Sequence, residues 1–381
     1  MAIEDLYQER FARIRRAIAC EPVTQVPVIQ MAIAFNPRYM GMSIAKFCAD
    51  PESANQVALD ALDRLGGFDG AQMGGAAPPM ALATLWLSRI LIPGRDLPEE
   101  SLWQVKEAEV MTQADYDAVI EQGWPAFFGS YLPRVVDMAE FGATMGWTAQ
   151  NGARINQLYR DRGYVLVSNG MFANIPFEAF CGGRSMTKFI FDLHRIPDKV
   201  EAAMKVMHAA TLAQIAAAPP CPPDIIGGSW VGGWRAASGL IAPKLWNRFV
   251  WPYIVETAEA LLARGYTPVF HWDQDWSRDV GRLADLPAKK CILNPDGMTD
   301  VRKFRAAVGD RMAMMGDVPA SLFAAGTPDD IRTYVGDLVR DIGTTGLLLC
   351  PGCDAPINTK SENMEAFVAA AHEFGTAAVP A

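Results

Sequence analysis

MAMMGDVPASLFAAGTPDDIRTYVGDLVRDIGTTGLLLC, residues 312–350, holds two short apolar runs with an amphipathic segment between them. The runs MAMMGD (312–317) and GLLLC (346–350) suit strands buried on both faces. Between them Thr327 can cap a helix, Pro328 takes its first position, and Asp329 and Asp330 favour its positive N-terminal end. Ile331, Tyr334, Val335, Leu338, Val339 and Ile342 recur at helical spacing until Gly343 stops the pattern. Strand, helix and buried strand in succession make a βα unit, whose sheet is parallel.

The same alternation extends outward. Apolar runs lie at 27–32 (PVIQMA), 67–73 (GFDGAQM), 163–170 (GYVLVSNG), 224–230 (DIIGGSW), 267–273 (TPVFHWD) and 290–295 (KCILNP). Thr299 with Val301, Phe304 and Val308 predicts one further helix, and Ser361 with Met364, Phe367, Val368 and Ala371 another. Eight runs separated by helices predict an α/β fold closed as a (β/α)8 TIM barrel. The expected organisation is one barrel domain over 1–381. Residues 74–162 form an insertion after the second strand, read as a lid; it carries PGRDLPEESLWQ (93–104) and a capped helix from Thr112 to Gly123.

Composition narrows the function. With 34 Lys plus Arg against 43 Asp plus Glu, the 381-residue chain carries a net charge of −9 and no clustered basic face, which excludes duplex DNA and anionic membrane as partners. The segment MAIEDLYQERFARIRRAIAC (1–20) reads as an amphipathic helix rather than a signal peptide, so a cytoplasmic protein is expected. The most apolar stretch, PPMALATLWLSRILIPG (78–94), is broken by Arg89 and falls short of the ~20 residues of a membrane span. Seven cysteines, an odd number, point to free thiols or metal ligands before disulfides.

In a barrel of this kind the chemistry sits at the C-terminal ends of the strands. The fifth run ends in His271, Trp272, Asp273, Gln274 and Asp275. Strand period puts His271 and Asp273 on one side, with Asp275 beyond them if the strand continues. The seventh ends in Asp317, and the eighth leads into Cys350-Pro351-Gly352-Cys353-Asp354. His, Asp and Cys on one rim are the ligand types of a catalytic zinc site, three protein donors with one position open. His271 alone reads equally as a hydrogen-bonded barrel histidine, and Asp273 alone as an orienting partner or helix cap. Cys350 and Cys353 form a single CxxC without a second pair, which leaves a redox dithiol open. Cys20, Cys48, Cys181, Cys221 and Cys291 are assigned to packing, and His194, His208 and His372 to solvated or capping positions on helices. Met31, Met73, Phe172, Trp230, Trp272 and Trp276 would line an apolar mouth that binds substrate, or else be plain core.

These segments resemble the uroporphyrinogen decarboxylase superfamily, which includes cobalamin-linked methyltransferases. The likeness is carried by ERFARIRRAIACEPVTQVPV (9–28), GLIAPKLWNRFVWPYI (239–254), GDVPASLFAAGTPDDIRTYVGDLV (316–339) and GLLLCPGCDAPINTKSENMEAF (346–367). The decarboxylase branch carries an Arg-Gln-Ala-Gly-Arg-Tyr segment after the first strand, where this chain has MAIAFNPRYM (31–40) and only Arg38. It also carries an aspartate at the end of the second strand, where Gln72, Met73 and Gly74 stand, and a histidine in the final loop, where Cys353 stands. The methyltransferase branch carries zinc on a His-x-Cys pair and on the Cys of a final Pro-Gly-Cys turn. Pro351-Gly352-Cys353 and His271 match; Asp273 replaces the second thiolate.

The resemblance implies a zinc-dependent corrinoid methyltransferase of the O-demethylation type. His271, Asp273 and Cys353 would hold zinc, and Asp317 and Asp275 are candidates for a fourth ligand or for the partner that fixes the His271 ring. Carboxylate in place of thiolate keeps the formal charge and makes a harder Lewis acid, which favours an O-methylated, aromatic donor. The implied partners are a small methyl donor and a corrinoid-binding protein carrying the cobalamin, with a homodimer open. Two rivals stay open: a corrinoid-independent decarboxylase or zinc hydrolase on the same barrel, and a non-catalytic module binding an apolar ligand.

Overall fold

The computed structural model describes residues 2–75 and 79–376. Eight parallel strands follow one another in chain order: β1 Ile29–Gln30, β2 Gly70–Ala71, β3 Val165–Leu166, β4 Gly228–Trp230, β5 Thr267–Trp272, β6 Ile292–Pro295, β7 Ala313–Val318 and β8 Leu347–Pro351. Regular pairing joins β1 to β2 to β3 and β4 through β8. Hydrogen bonds across the two remaining seams close the ring. Gly228 N–H donates to Val167 O at 2.9 Å between β3 and β4, and Leu349 N–H donates to Pro27 O at 2.8 Å between β8 and β1, where Val28 and Leu349 form a parallel bridge. The chain is therefore a (β/α)8 barrel, as its alternation predicted, and all eight apolar runs are its strands.

Alternate strand residues enter two separate cores, as the pleat requires. Ile29, Met31, Val165, Val167, Val269, Ile292, Met315, Leu348 and Cys350 point inward. The helix Ile3–Ile18 packs Tyr7, Phe11 and Ile14 against this inner set. Val28, Phe270, Trp272, Leu293, Met314 and Leu349 point outward into the helix layer. Gly70 marks a close approach of two strands, since a β-carbon there would lie 1.9 Å from Val165 O.

The helix Pro328–Ile342 starts on a capping box between Thr327 and Asp330, as the sequence predicted. The helix Val301–Val308 is capped by Asp300 and not by Thr299; the Asp300 carboxylate accepts from Arg302 N–H at 3.1 Å. His208, expected to be solvated or capping, is instead buried, edge-on to Tyr253 and bonded to Glu256 at 2.9 Å, because its helical position faces a neighbouring helix.

Between β2 and β3 the chain makes a two-stranded antiparallel ribbon (Ile90–Leu91 with Gln104–Val105) and the helices Pro79–Trp86, Ala114–Gln122, Trp124–Tyr131 and Met138–Arg160. The helix at 114–122 is tied to the helices after β3 by a buried polar cluster. Tyr116 and Gln113 donate to the Asp192 carboxylate at 3.1 and 2.6 Å, and Arg184 donates to it at 2.7 Å. Three donors around one buried carboxylate offset the cost of taking it out of water. Among the described residues no helix is long and apolar enough to cross a membrane.

Candidate metal centre

His271 projects inward from β5 just before the strand ends, and Asp273 continues on the same side two residues later. Cys353 comes from the loop after β8. The donor atoms of these three side chains all lie within 4.8 Å of one another: Cys353 Sγ is 3.9 Å from His271 Nε2, which is 3.7 Å from Asp273 Oδ1. Among the described residues no other three His, Cys, Asp or Glu side chains meet this condition. Asp273 Oδ1 is buried and has no hydrogen-bond partner. A buried carboxylate oxygen left unpaired beside a thiol and an imidazole nitrogen asks for a cation, so the donor set fits a divalent metal.

Several neighbours hold these side chains in place. Trp230 of β4 stacks on the His271 ring, centroids 4.4 Å apart, and donates its indole N–H to Ser168 Oγ at 3.1 Å. Asp354 straps the Cys353 loop to the chain after β1 by accepting from Ala34 N–H at 3.2 Å and from Ile33 N–H. Burial pushes the Asp354 carboxyl up to about 7. Burial, with the Asp273 and Asp354 charges nearby, raises the Cys353 thiol well above its ordinary range. A bound cation would reverse that balance by stabilising the thiolate.

Two carboxylates expected at this centre lie elsewhere. Asp317 accepts from the Tyr334 hydroxyl at 3.0 Å, and burial lifts it to about 6. Asp275 caps the turn that follows it, accepting from Ser277 N–H at 2.8 Å; hydrogen bonds from the Ser277 side chain and then its backbone hold it below the usual carboxylate range. The group bonded to the His271 ring is Asn294 of β6, whose Oδ1 lies 2.7 Å from Nδ1. Cys350 lies in the inner core, so the CxxC does not present two thiols to the site. Sequence reading missed Asn294 because it weighed charged and metal-ligating types. The signal available was a polar residue near the end of an otherwise apolar strand, ILNP.

The apolar mouth needs a correction as well. Trp272 is 1% exposed and stacks on Trp276 at 4.1 Å in the outer core, because strand alternation turns residue 272 away from 271 and 273. Trp276 is fully buried with it. Met31 is buried in the barrel, and Phe172 is 55% exposed on the loop after β3. Met73 is half-buried beside a cavity of about 10 Å³ that Met31 also lines. Of the six mouth residues expected, Trp230 stacks on the His271 ring.

A second unforeseen group is Glu178, fully buried on the helix Pro176–Arg184 after β3. One carboxylate oxygen accepts from Ala236 N–H at 2.8 Å, and the other has no partner. Gly233 packs against it so closely that a β-carbon would lie 2.6 Å from the carboxyl carbon. Burial raises Glu178 to about 7, and the nearby negative Asp273 adds to that rise.

Residues 171–374, more than half of the chain, match the family model described as uroporphyrinogen decarboxylase (URO-D). A uroporphyrinogen decarboxylase of Coxiella burnetii (strain Dugway 5J108-111) is 23% identical over 213 residues, 53% of this chain and 57% of that protein. One of Pelodictyon phaeoclathratiforme (strain DSM 5477 / BU-1) is 30% identical over 100 residues, 26% of this chain and 27% of that one. The match thus spans little more than half the length of the Coxiella relative, and less of the other. Among solved structures, a methyltransferase from Methanosarcina mazei superposes with a TM-score of 0.68 over 96% of this chain and 98% of its own, at 18% identity, a likeness of fold.

Proposed function

The chain belongs to the uroporphyrinogen decarboxylase family, and from that premise we propose that it is a zinc-dependent methyltransferase. It would move a methyl group from a small O-methylated, aromatic substrate to the cobalt of a corrinoid protein. The observation that carries this reading is the convergence of His271, Asp273 and Cys353 donors at the end of the barrel strands. The fold shared with the Methanosarcina methyltransferase and the replacement of the decarboxylase-type aspartate by Gln72 support the same branch.

His271, Asp273 and Cys353 would hold zinc with one coordination position left open. When bound, zinc supplies Lewis acidity to an ether oxygen, and the reduced corrinoid supplies the nucleophile for its methyl carbon. In the overall balance the methyl leaves as a cation equivalent to cobalt(I), and the substrate oxygen keeps the electron pair and gains a proton. The protein's own part is to place and to exclude. Trp230 walls the His271 side of the site with an aromatic plane suited to an aromatic guest. Asp354 holds the Cys353 loop against the β1 end, which fixes the thiol relative to His271. Residues 74–162 are read as an insertion in the one barrel domain, covering the mouth to keep water from the leaving oxygen.

The test is turnover under anaerobic conditions with a methoxylated aromatic, zinc and free cob(I)alamin as acceptor. The reading predicts loss of the cobalt(I) absorbance in step with release of the phenol, abolished in Cys353→Ala. Release of the phenol at the same rate without corrinoid would instead establish a hydrolase on this barrel.

A further inference from the structure

Two side-chain amides stand one behind the other inside the barrel beneath the metal centre. Asn294 lies opposite His271 in the β5–β6 register, and Gln72 follows β2; both are fully buried. Asn294 Nδ2 donates to the Met315 carbonyl oxygen at 2.6 Å and, more distantly, reaches Gly352 O at 3.5 Å. A carbonyl oxygen only accepts, so this contact settles which end of the amide is nitrogen. Oδ1 therefore faces the other way, where it meets His271 Nδ1 at 2.7 Å and accepts from Gln72 Nε2. An amide oxygen cannot donate, so the proton between Asn294 and His271 belongs to the imidazole. A neutral ring protonated at Nδ1 has its lone pair at Nε2, the atom that faces Cys353 and Asp273.

We propose that Asn294 and Gln72 are positioning residues, a two-amide relay that holds His271 as the Nδ1–H tautomer with Nε2 ready to ligate. The inference rests on reading His271 as a metal ligand. The chemistry of the relay matches the charge of the site. Asp273 and a Cys353 thiolate already balance a divalent cation, and a carboxylate at 294 would add a third buried negative charge facing the Met315 carbonyl oxygen. Gln72 gives a second indication. Its Oε1 is buried without a partner, a cost accepted while Nε2 braces Asn294. Metal-bound histidines ordinarily have their second nitrogen fixed in this manner, and loss of such a partner lowers metal affinity by roughly 10- to 100-fold.

The test uses full-length protein and has two readouts. Long-range 1H–15N correlation on metal-free protein at about pH 8.5, where an ordinary imidazole is neutral, reports which ring nitrogen carries the proton. The chain has four histidines, and comparison with His271→Gln identifies the signals of interest. The relay predicts a protonated Nδ1 and an unprotonated Nε2 in wild type. It predicts a mixed tautomer population and roughly 10- to 100-fold weaker zinc binding in Asn294→Ala, measured by chelator competition. Gln72→Met should show a smaller loss in the same direction. An Nε2–H tautomer in wild type, or wild-type zinc affinity in a folded Asn294→Ala, overturns the proposal. If Asn294→Ala does not fold, the wild-type tautomer and Gln72→Met decide. A wild type that binds no zinc yet shows the Nδ1–H tautomer supports the relay and sinks the metal reading of the site.

Discussion

Trp230 lies over the imidazole of His271, ring centroids 4.4 Å apart and planes 28° from parallel. The two residues come from adjacent strands and point to the same side, so the stack is fixed by barrel register rather than by a loop. Trp230→Phe keeps an aromatic plane and loses the bond to Ser168, which should cost about 1 kcal/mol. Trp230→Ala removes the plane as well and should cost about 3 kcal/mol. Denaturant titrations of both variants check the order; equal losses would mean that the indole hydrogen bond, not the stacked ring, supports His271.

Asp273 stands where a second thiolate would complete a His-x-Cys pair. Asp273→Cys should therefore bind zinc at least tenfold more tightly, because soft thiolate raises affinity for this metal. The cobalt(II)-loaded variant should gain thiolate-to-metal charge-transfer intensity over wild type. Unchanged affinity and spectrum would place residue 273 outside the coordination sphere.

Glu178 supplies a pH dependence. Its carboxyl rises from an ordinary 4.5 to about 7 on burial, so the folded state keeps the proton longer than the unfolded chain. That contribution to stability is complete below about 4.5 and is lost as pH climbs toward about 7, a change on the order of a few kcal/mol. Glu178→Gln keeps an oxygen for Ala236 N–H and has no charge to bury. Its stability should fall less steeply than that of wild type over this window and exceed wild type above pH 7. A variant that falls with pH as steeply as wild type would assign the dependence to Asp317 or Asp354, which burial also raises, to about 6 and about 7.

Gly70 tests the barrel itself. Any side chain there meets the Val165 carbonyl oxygen, so Gly70→Ala must push β2 from β3. Expected is a loss beyond about 3 kcal/mol or failure to accumulate as soluble protein. Gly142 on the helix Met138–Arg160 has nothing within 4 Å of an added β-carbon, and Gly142→Ala should be neutral or slightly stabilising.

The strands were legible because each is buried on both faces and reads as an apolar run bounded by glycine, proline or a polar end. Thr327 and Gly343 punctuated the helix between β7 and β8 in the same local way. The site was legible as far as residue type and strand period reach, which is to His271, Asp273 and the Cys of the last turn. Applied to Trp272, the same period would have turned it outward; composition alone suggested an aromatic mouth. Asn294, Gln72 and Glu178 were hidden for another reason. Their roles come from partners 23 to 222 residues away in sequence, brought together by strand pairing around the barrel and not by any local pattern.

Metal content of anaerobically purified protein tests the central claim most directly, with wild type measured beside Asp273→Ala and Cys353→Ala by elemental analysis. The account predicts about one zinc per chain in wild type and loss of most of it in both variants, which should remain folded by circular dichroism. Wild type without metal after incubation with zinc, or variants that retain a full equivalent, would contradict it.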